Sequence, residues 1–447
     1  MNKLFSDFPK VSKTEWEEKL TKELKGADFT SSLVRKDEIE ELEFSTYTHS
    51  SDKLKSNEIP GQVPFTRGNK TQNNDWNIAA SVFVDDEKLS NSKALDLLMT
   101  GCTSLIFELK KEQIDLDLLF DQIGFEFIQV QFSVSSFNQY SALLNYFKTS
   151  QATDIVYRLD FIHSDLKNQN FLDYCSISKK HSSRFCLVDG YSLQQCGATI
   201  SQEISFALAT GHEYLVKLMN AGYTIDEAAS RIHFSLGIGA NYFYEIVKIR
   251  AFRKLWFKVV TNYNPNDYIS CKACITSETG FINKSLKDPY TNLLRQTTEA
   301  MAVITAGVET VLVRPYDGMS TEGISELSSR MAMNISLVLK DESYFDKVID
   351  PLGGSYSIES LTEQIATNSW SQFQEIENKG GVTTDLAIEF VQSNVRIKSQ
   401  LKLENIKSGK QMLIGVNKYP NPLAETNSWL PSSSFIGLDH LIFERDI

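Results

Sequence analysis

From residue 77 onward, short runs of apolar and β-branched residues alternate with longer stretches whose apolar positions recur at helical spacing. The pattern predicts strands over Asn77–Val84, Ser104–Leu109, Phe125–Phe132, Asp154–Leu159, Phe185–Val188, Arg231–Leu236, Tyr268–Ile275 and Thr310–Val313. Helices are predicted near 89–99, 113–121, 136–148, 166–178, 199–221, 241–260, 289–306 and 320–340. Strict βα alternation calls for a parallel sheet, because the crossover helices must cover its faces. Eight units over 77–340 fit the ~250 residues of a (β/α)8 TIM barrel. An open doubly wound sheet fits less well, since no G-x-G-x-x-G occurs.

The flanks read differently. Thr14-Glu-Trp-Glu17 predicts a capping box opening a short amphipathic helix, with Trp16, Leu20 and Leu24 on it and Gly26 as its stop. Glu38, Glu40, Glu41 and Glu43 crowd together after it, and the segment offers too little core for a domain of its own. After the barrel come helical patterns near 358–378 and 383–408, then a strand-like Met412–Val416. The expected division is an N-terminal, partner-contacting arm over 1–76, the barrel over 77–340 and a C-terminal helical extension over 341–447. Within the barrel, Thr224-Ile-Asp-Glu227 predicts a second capping box, Asp288-Pro289 a helix start, and Glu245 with Lys248 an i,i+3 ion pair.

Composition narrows the class. The 447 residues are 42% hydrophobic and 23% charged, which excludes a disordered chain. Forty-five basic against 57 acidic side chains give −12, against a nucleic-acid partner. No apolar run approaches the ~18 residues of a membrane span. Residues 1–10 have no apolar leader core, so a cytoplasmic location is expected. Six cysteines form no disulfide framework. Cys271-Lys-Ala-Cys274 is a lone C-x-x-C in an apolar run, where buried thiols are the ordinary case.

In a TIM barrel the chemistry sits at the C-terminal ends of the strands. Those ends carry Arg158 and Asp160; Asp189, Gly190, Tyr191 and Ser192; Gly237 and Gly239; Thr276, Ser277 and Glu278; Arg314, Tyr316 and Asp317. The mouth is polar, yet it offers no acid–base pair and no histidine-activated nucleophile. His233 reads as a satisfied structural histidine and His212 as a packed or surface one. The Gly237-Ile-Gly239 pair reads as a tight βα turn, and Asp350-Pro-Leu-Gly-Gly-Ser-Tyr356 as a rigid turn into a helix capped by Ser355 or Ser357.

Six strings, in order, resemble the methylmalonyl-CoA mutase family: Pro60–Gly68 (PGQVPFTRG), Asp189–Ala198 (DGYSLQQCGA), Arg231–Arg250 (RIHFSLGIGANYFYEIVKIR), Asp288–Arg295 (DPYTNLLR), Lys347–Tyr356 (KVIDPLGGSY) and Gly415–Lys418 (GVNK). The resemblance covers nearly the whole chain. It implies a barrel whose axis takes an acyl-CoA thioester, a radical rearrangement at the mouth, and adenosylcobalamin on a separate C-terminal domain with a D-x-H-x-x-G histidine as cobalt ligand.

The departures decide what is carried over. No D-x-H-x-x-G occurs, and Ile447 is reached without a span for that domain. The family's glycine-tyrosine-histidine-methionine-glutamine is Gly190-Tyr-Ser-Leu-Gln194 here, so Ser192 stands at the position of the substrate-polarising histidine. A serine supplies no imidazole. The segment bringing a second active-site tyrosine is replaced by Asn69–Asn74, and Thr276–Phe281 stands where catalytic chains run through serine–glycine–tryptophan. No catalytic residue is expected; Tyr191, Ser192 and Gln194 are vestigial mouth positions. The pattern matches the family's small subunit, with no cofactor on this chain, adenosylcobalamin in the large catalytic subunit, and a heterodimer in which the arm wraps the partner. Self-association into a homodimer is left open. The alternative is an active barrel of a split acyl-CoA mutase that receives cobalamin from another chain.

Overall fold

The computed structural model describes residues 9–45, 47–49, 52, 58–148, 152, 154–422 and 428–447. Residues 1–8, most of the segment read for a leader, lie outside the described residues. Eight parallel strands, β1 (Asn77–Val84), β2 (Ser104–Leu109), β3 (Gln129–Ser133), β4 (Asp154–Arg158), β5 (Cys186–Asp189), β6 (Ile232–Ile238), β7 (Ile275–Thr279) and β8 (Thr310–Leu312), run in spatial order β4-β3-β2-β1-β8-β7-β6-β5. The remaining gap, β4 to β5, is bridged by Val156 opposite Arg184, with Tyr157 N–H donating to the Arg184 carbonyl at 2.8 Å. The expected TIM-type barrel is present.

The helices outside it are α1 (Glu87–Met99), α2 (Leu116–Leu119), α3 (Phe137–Phe147), α4 (Phe171–Ser178), α5 (Ile200–Asn220), α6 (Tyr242–Thr261), α7 (Thr291–Thr305) and α8 (Glu326–Leu337). Side-chain caps set most starts: Thr199 and Thr224 make full capping boxes with Gln202 and Glu227, and Ser325 caps α8. The extension supplies α9 (Tyr356–Asn378) and α10 (Asp385–Lys407). The arm hairpin (Val34–Asp37 with Leu42–Ser45) lies on this chain's own α9: Gln364 both accepts from Glu43 N–H at 2.9 Å and donates to its carbonyl at 2.7 Å.

Several boundaries differ from the expected ones, each for a local reason. The seventh strand was expected over 268–275, yet β7 begins at Ile275. Asp267 caps Ile269 N–H at 2.8 Å, and Asp226 accepts from Asn266 N–H, Asp267 N–H and Ser270 Oγ. That aspartate chemistry winds Tyr268–Cys271 into a 3-10 turn. Phe125–Phe127 is likewise a 3-10 turn before β3. The arm helix, Lys13–Glu23, is boxed by Ser12 and Glu15 rather than Thr14 and Glu17. Helix α7 starts two residues beyond Pro289, because Asp288 accepts from Thr291 Oγ1 at 2.6 Å instead of capping a backbone N–H. Ser355 stands at the start of α9 without a capping hydrogen bond. Met412–Val416 forms no strand; only Ile414 pairs, with Lys418.

Two contacts between distant strings, one of them ionic, hold the outer layer. Asp350 Oδ2 receives Arg67 Nε at 2.6 Å and Arg250 Nη1 at 2.5 Å, while Arg250 Nη2 lies 2.7 Å from Glu359. A Cβ on Gly353 would fall 2.3 Å from the Arg67 guanidinium, so only glycine leaves room for the knot. Similarly, a Cβ on Gly415 would fall 2.7 Å from Asp288, and Arg295 donates to the Ile414 carbonyl. Arg250 is 1% exposed, and removing one member of a buried pair strands the others. Arg250→Met is therefore expected to cost about 3–5 kcal/mol, read as a lowered denaturation midpoint with unchanged slope.

Candidate functional site: the barrel mouth

The barrel axis is filled by a hydrogen-bonded polar column. Gln129 Oε1 accepts from Ser104 Oγ (2.9 Å), Gln131 Nε2 (2.8 Å) and Thr310 Oγ1 (2.9 Å), and Gln131 Nε2 also reaches Thr276 Oγ1 at 3.1 Å. Ala79, Ile106 and Leu312 form a small apolar cluster of their own. Every second residue of a strand faces inward, so Thr276 and Glu278 of β7, Ser235 of β6 and Arg158 of β4 meet there.

Above the column sits the mouth. Glu278, fully buried, takes Arg158 Nη2 on Oε1 at 2.6 Å and Arg314 Nη2 on Oε2 at 2.5 Å; Ser235 Oγ donates to Oε1 at 2.7 Å. Burial alone would push this carboxyl up, but the two guanidiniums outweigh it and hold it at about 2. The Arg314 guanidinium lies over the Tyr191 ring, 4.9 Å from its centroid. Five strand ends, those of β4 to β8, are thereby tied across the opening.

Ser192 does not point a free hydroxyl at the axis. Asp189 caps the short helix Gly190–Gln195 through Ser192 N–H at 2.9 Å and also accepts the Ser192 hydroxyl at 2.6 Å. Burial raises Asp189 to about 6, with the Ser192 donors acting against it. Gln194 lies against Gly237, where a Cβ would fall 2.7 Å from its side chain. Gln195 accepts Phe281 N–H at 2.8 Å and donates to Gln194. The three expected vestigial positions, Tyr191, Ser192 and Gln194, thus come together at the mouth, each engaged by neighbours.

Other expected residues fall elsewhere. Asp160 turns into its own loop, accepting from Ile162 N–H, His163 N–H and Tyr214 Oη. Asp317 serves the α8 start through Ser325 N–H and Ser328 Oγ. Asn69, Lys70 and Asn74 lie under the opposite end: Asn69 donates to the Ala273 carbonyl (2.7 Å), Lys70 to that of Val308 (2.7 Å) and Asn74 to that of Ile304 (2.8 Å). They fasten the floor and are no part of the mouth. His233 is fully buried but not satisfied, since neither ring nitrogen has a partner; burial drives its pKa far down and keeps it neutral. His212 is packed, 3.0 Å from Glu377 and 2.6 Å from Tyr263 Oη. Cys271 and Cys274 are free thiols, raised by burial to about 11 and about 12.

A second buried charge cluster lies beside the mouth: the expected Glu245–Lys248 pair is present, and Glu203, which the sequence pattern did not attach to it, joins them. Lys248 Nζ lies 2.5 Å from Glu245 and 3.1 Å from Glu203, and donates to the Gly237 carbonyl at 2.5 Å. Glu203 accepts Gly237 N–H at 2.8 Å and is raised by burial to about 7 despite Lys248. Glu203, the one charged residue between Ile200 and Gly211 of α5, was the available signal. Chemically, the mouth holds paired charges and donated hydroxyls. Among the described residues it presents neither an imidazole nor an uncommitted base.

A profile of the methylmalonyl-CoA mutase family matches residues 163–432. The chain is 34% identical to the methylmalonyl-CoA mutase small subunit of Porphyromonas gingivalis, over 94% of this chain and 71% of that protein. It is 27% identical to the small subunit of Propionibacterium freudenreichii subsp. shermanii, over 93% and 70%. With the mitochondrial methylmalonyl-CoA mutase of Bos taurus it shares 34% identity over 55% of this chain and 33% of that protein. Among the described residues, no helix is long and apolar enough to cross a membrane.

Glu278→Gln would leave two partly buried guanidiniums facing a neutral amide, with an expected loss of about 3 kcal/mol at pH 7. Glu278 is held at about 2 against an ordinary 4.5, so its contribution is complete above ~4.5 and fades as pH falls towards ~2. The stability gap between wild type and Glu278→Gln, from denaturation midpoints at pH 7 and pH 3, should therefore narrow on acidification.

Proposed function

Since the chain belongs to the methylmalonyl-CoA mutase family, we propose that it acts in the cytoplasm as the small, non-catalytic subunit of an adenosylcobalamin-dependent methylmalonyl-CoA mutase. Its role is to stabilise a large catalytic subunit that isomerises methylmalonyl-CoA to succinyl-CoA. The observation that carries this reading is the closed mouth: Arg158, Glu278 and Arg314 bridge the opening, and Ser192 gives its hydroxyl to Asp189. A thioester carbonyl brought there would meet no free donor at the Ser192 position.

The histidines support placing the cobalamin on the partner. His163, in the loop after β4, has Nε2 3.3 Å from Thr210 Oγ1 and its ring against Phe206 and Phe435. His440 is held by Ser433 Oγ at 2.7 Å in the C-terminal hairpin. Neither lies in a D-x-H-x-x-G string, the setting of the family's cobalt ligand, so these residues do not fit the cofactor.

Co-expression with a large methylmalonyl-CoA mutase subunit is expected to yield a stable 1:1 complex with isomerase activity. The isolated chain should bind no adenosylcobalamin and convert no methylmalonyl-CoA. Turnover by this chain with an added cobalamin-carrier protein would establish the split-mutase alternative instead. Ser192→His alone should not confer activity, because the Arg–Glu–Arg bridge and the Gln194–Gln195 pair still close the opening; measurable isomerisation by that variant would refute the account.

A further inference from the structure

The ladder between the first and last barrel strands is short. β8 pairs with β1 only from Thr310 opposite Asn77 to Leu312 opposite Ala79, although β1 continues to Val84. Above that point the two strands part, and a cavity of about 290 Å³ opens between them, roofed by α1 and α8. Its walls are largely apolar, with Leu97, Leu312, Ala332 and Met333 among them, and Lys93, Glu108 and Arg314 are the charged residues that reach it.

The charges there do not cancel. Arg158 and Arg314 share the single carboxylate of Glu278, so that bridge carries one surplus positive charge. Lys93 and Glu108 contribute one charge of each sign, neither makes a salt bridge among the described residues, and Glu108 acts electrostatically on Arg314 alongside Glu278. Of the Arg314 guanidinium, Nη2 is bonded to Glu278, while Nε is buried without a partner. An apolar enclosure with an under-used arginine and a net positive charge suits an amphiphilic anion. The space is roughly twice the ~150 Å³ that accommodates benzene in an engineered protein cavity, so the hydrocarbon it takes is of medium length.

We propose that the cavity between β1 and β8 binds a medium-chain monocarboxylate, with its head group directed to Arg314 and Lys93 and its chain among Leu97, Leu312, Ala332 and Met333. The site meets the mouth at Arg314 but does not include Ser192, and binding here needs no isomerisation.

The test is titration calorimetry of the full chain with octanoate, compared with 1-octanol. Octanoate should bind at sub-millimolar concentration, and octanol at least about tenfold more weakly. Ala332→Trp, which fills the space from α8, should abolish octanoate binding while retaining the wild-type circular dichroism spectrum. Lys93→Glu, at an exposed position on the rim, should weaken it about tenfold. Absence of octanoate binding at millimolar concentration, equal binding of acid and alcohol, or binding untouched by both variants would overturn the proposal. None of these readouts involves isomerisation, so such a failure would leave the subunit role standing.

Discussion

A single carboxylate, Glu278, sits between two guanidiniums inside the barrel, and much of the upper barrel is arranged around it. A buried ion tolerates the loss of water only when its partners are close and its remaining lone pairs are used. Arg158 from β4, Arg314 from beyond β8 and Ser235 from β6 meet both conditions. Because those groups come from different strands, satisfying one charge fixes the spacing of several strand ends. Tyr191 then lies on Arg314 from the β5 side, so the short helix bearing Ser192 is positioned by the same interaction.

The polar column below explains how such a charge can be accommodated. An interior packed with branched apolar residues would leave Glu278 and its arginines the only polar groups on the axis. Here Gln129, Gln131, Ser104, Thr276 and Thr310 bond one another from the floor upward. Closure at the mouth and a filled axis are two ends of one network.

That interior also sets what the sequence could reveal. Strands β1, β2 and β6 are legible because their outward residues pack on helices and several inward ones are apolar or small. β7 reads as polar, Ile-Thr-Ser-Glu-Thr, because its inward positions belong to the column, and the apolar run just before it drew the predicted strand too early. The strings shared with the mutase family were readable as strings, but not the reason they co-occur. Arg67, Arg250 and Asp350 stand far apart in sequence and share one carboxylate in space. The partners of Glu203 and the lack of partners at His233 were not legible for the converse reason: periodicity marks which face is buried, not which buried groups find partners.

The β1–β8 ladder has a consequence for assembly. Each other neighbouring pair of barrel strands joins segments consecutive along the chain, whereas Asn77 and Thr310 are separated by more than half its length. Loop-closure entropy makes that pairing the most demanding in the sheet, and three residues per strand bear it. Glu309, just before β8, compensates by gathering Asn69, Arg253 and Ile275 N–H around its carboxylate, at 2.8, 3.2 and 3.0 Å. The chain thus completes its cylinder with a few backbone bonds and one well-placed side chain, which holds the ends of a long excursion together at the floor and leaves them free to diverge above.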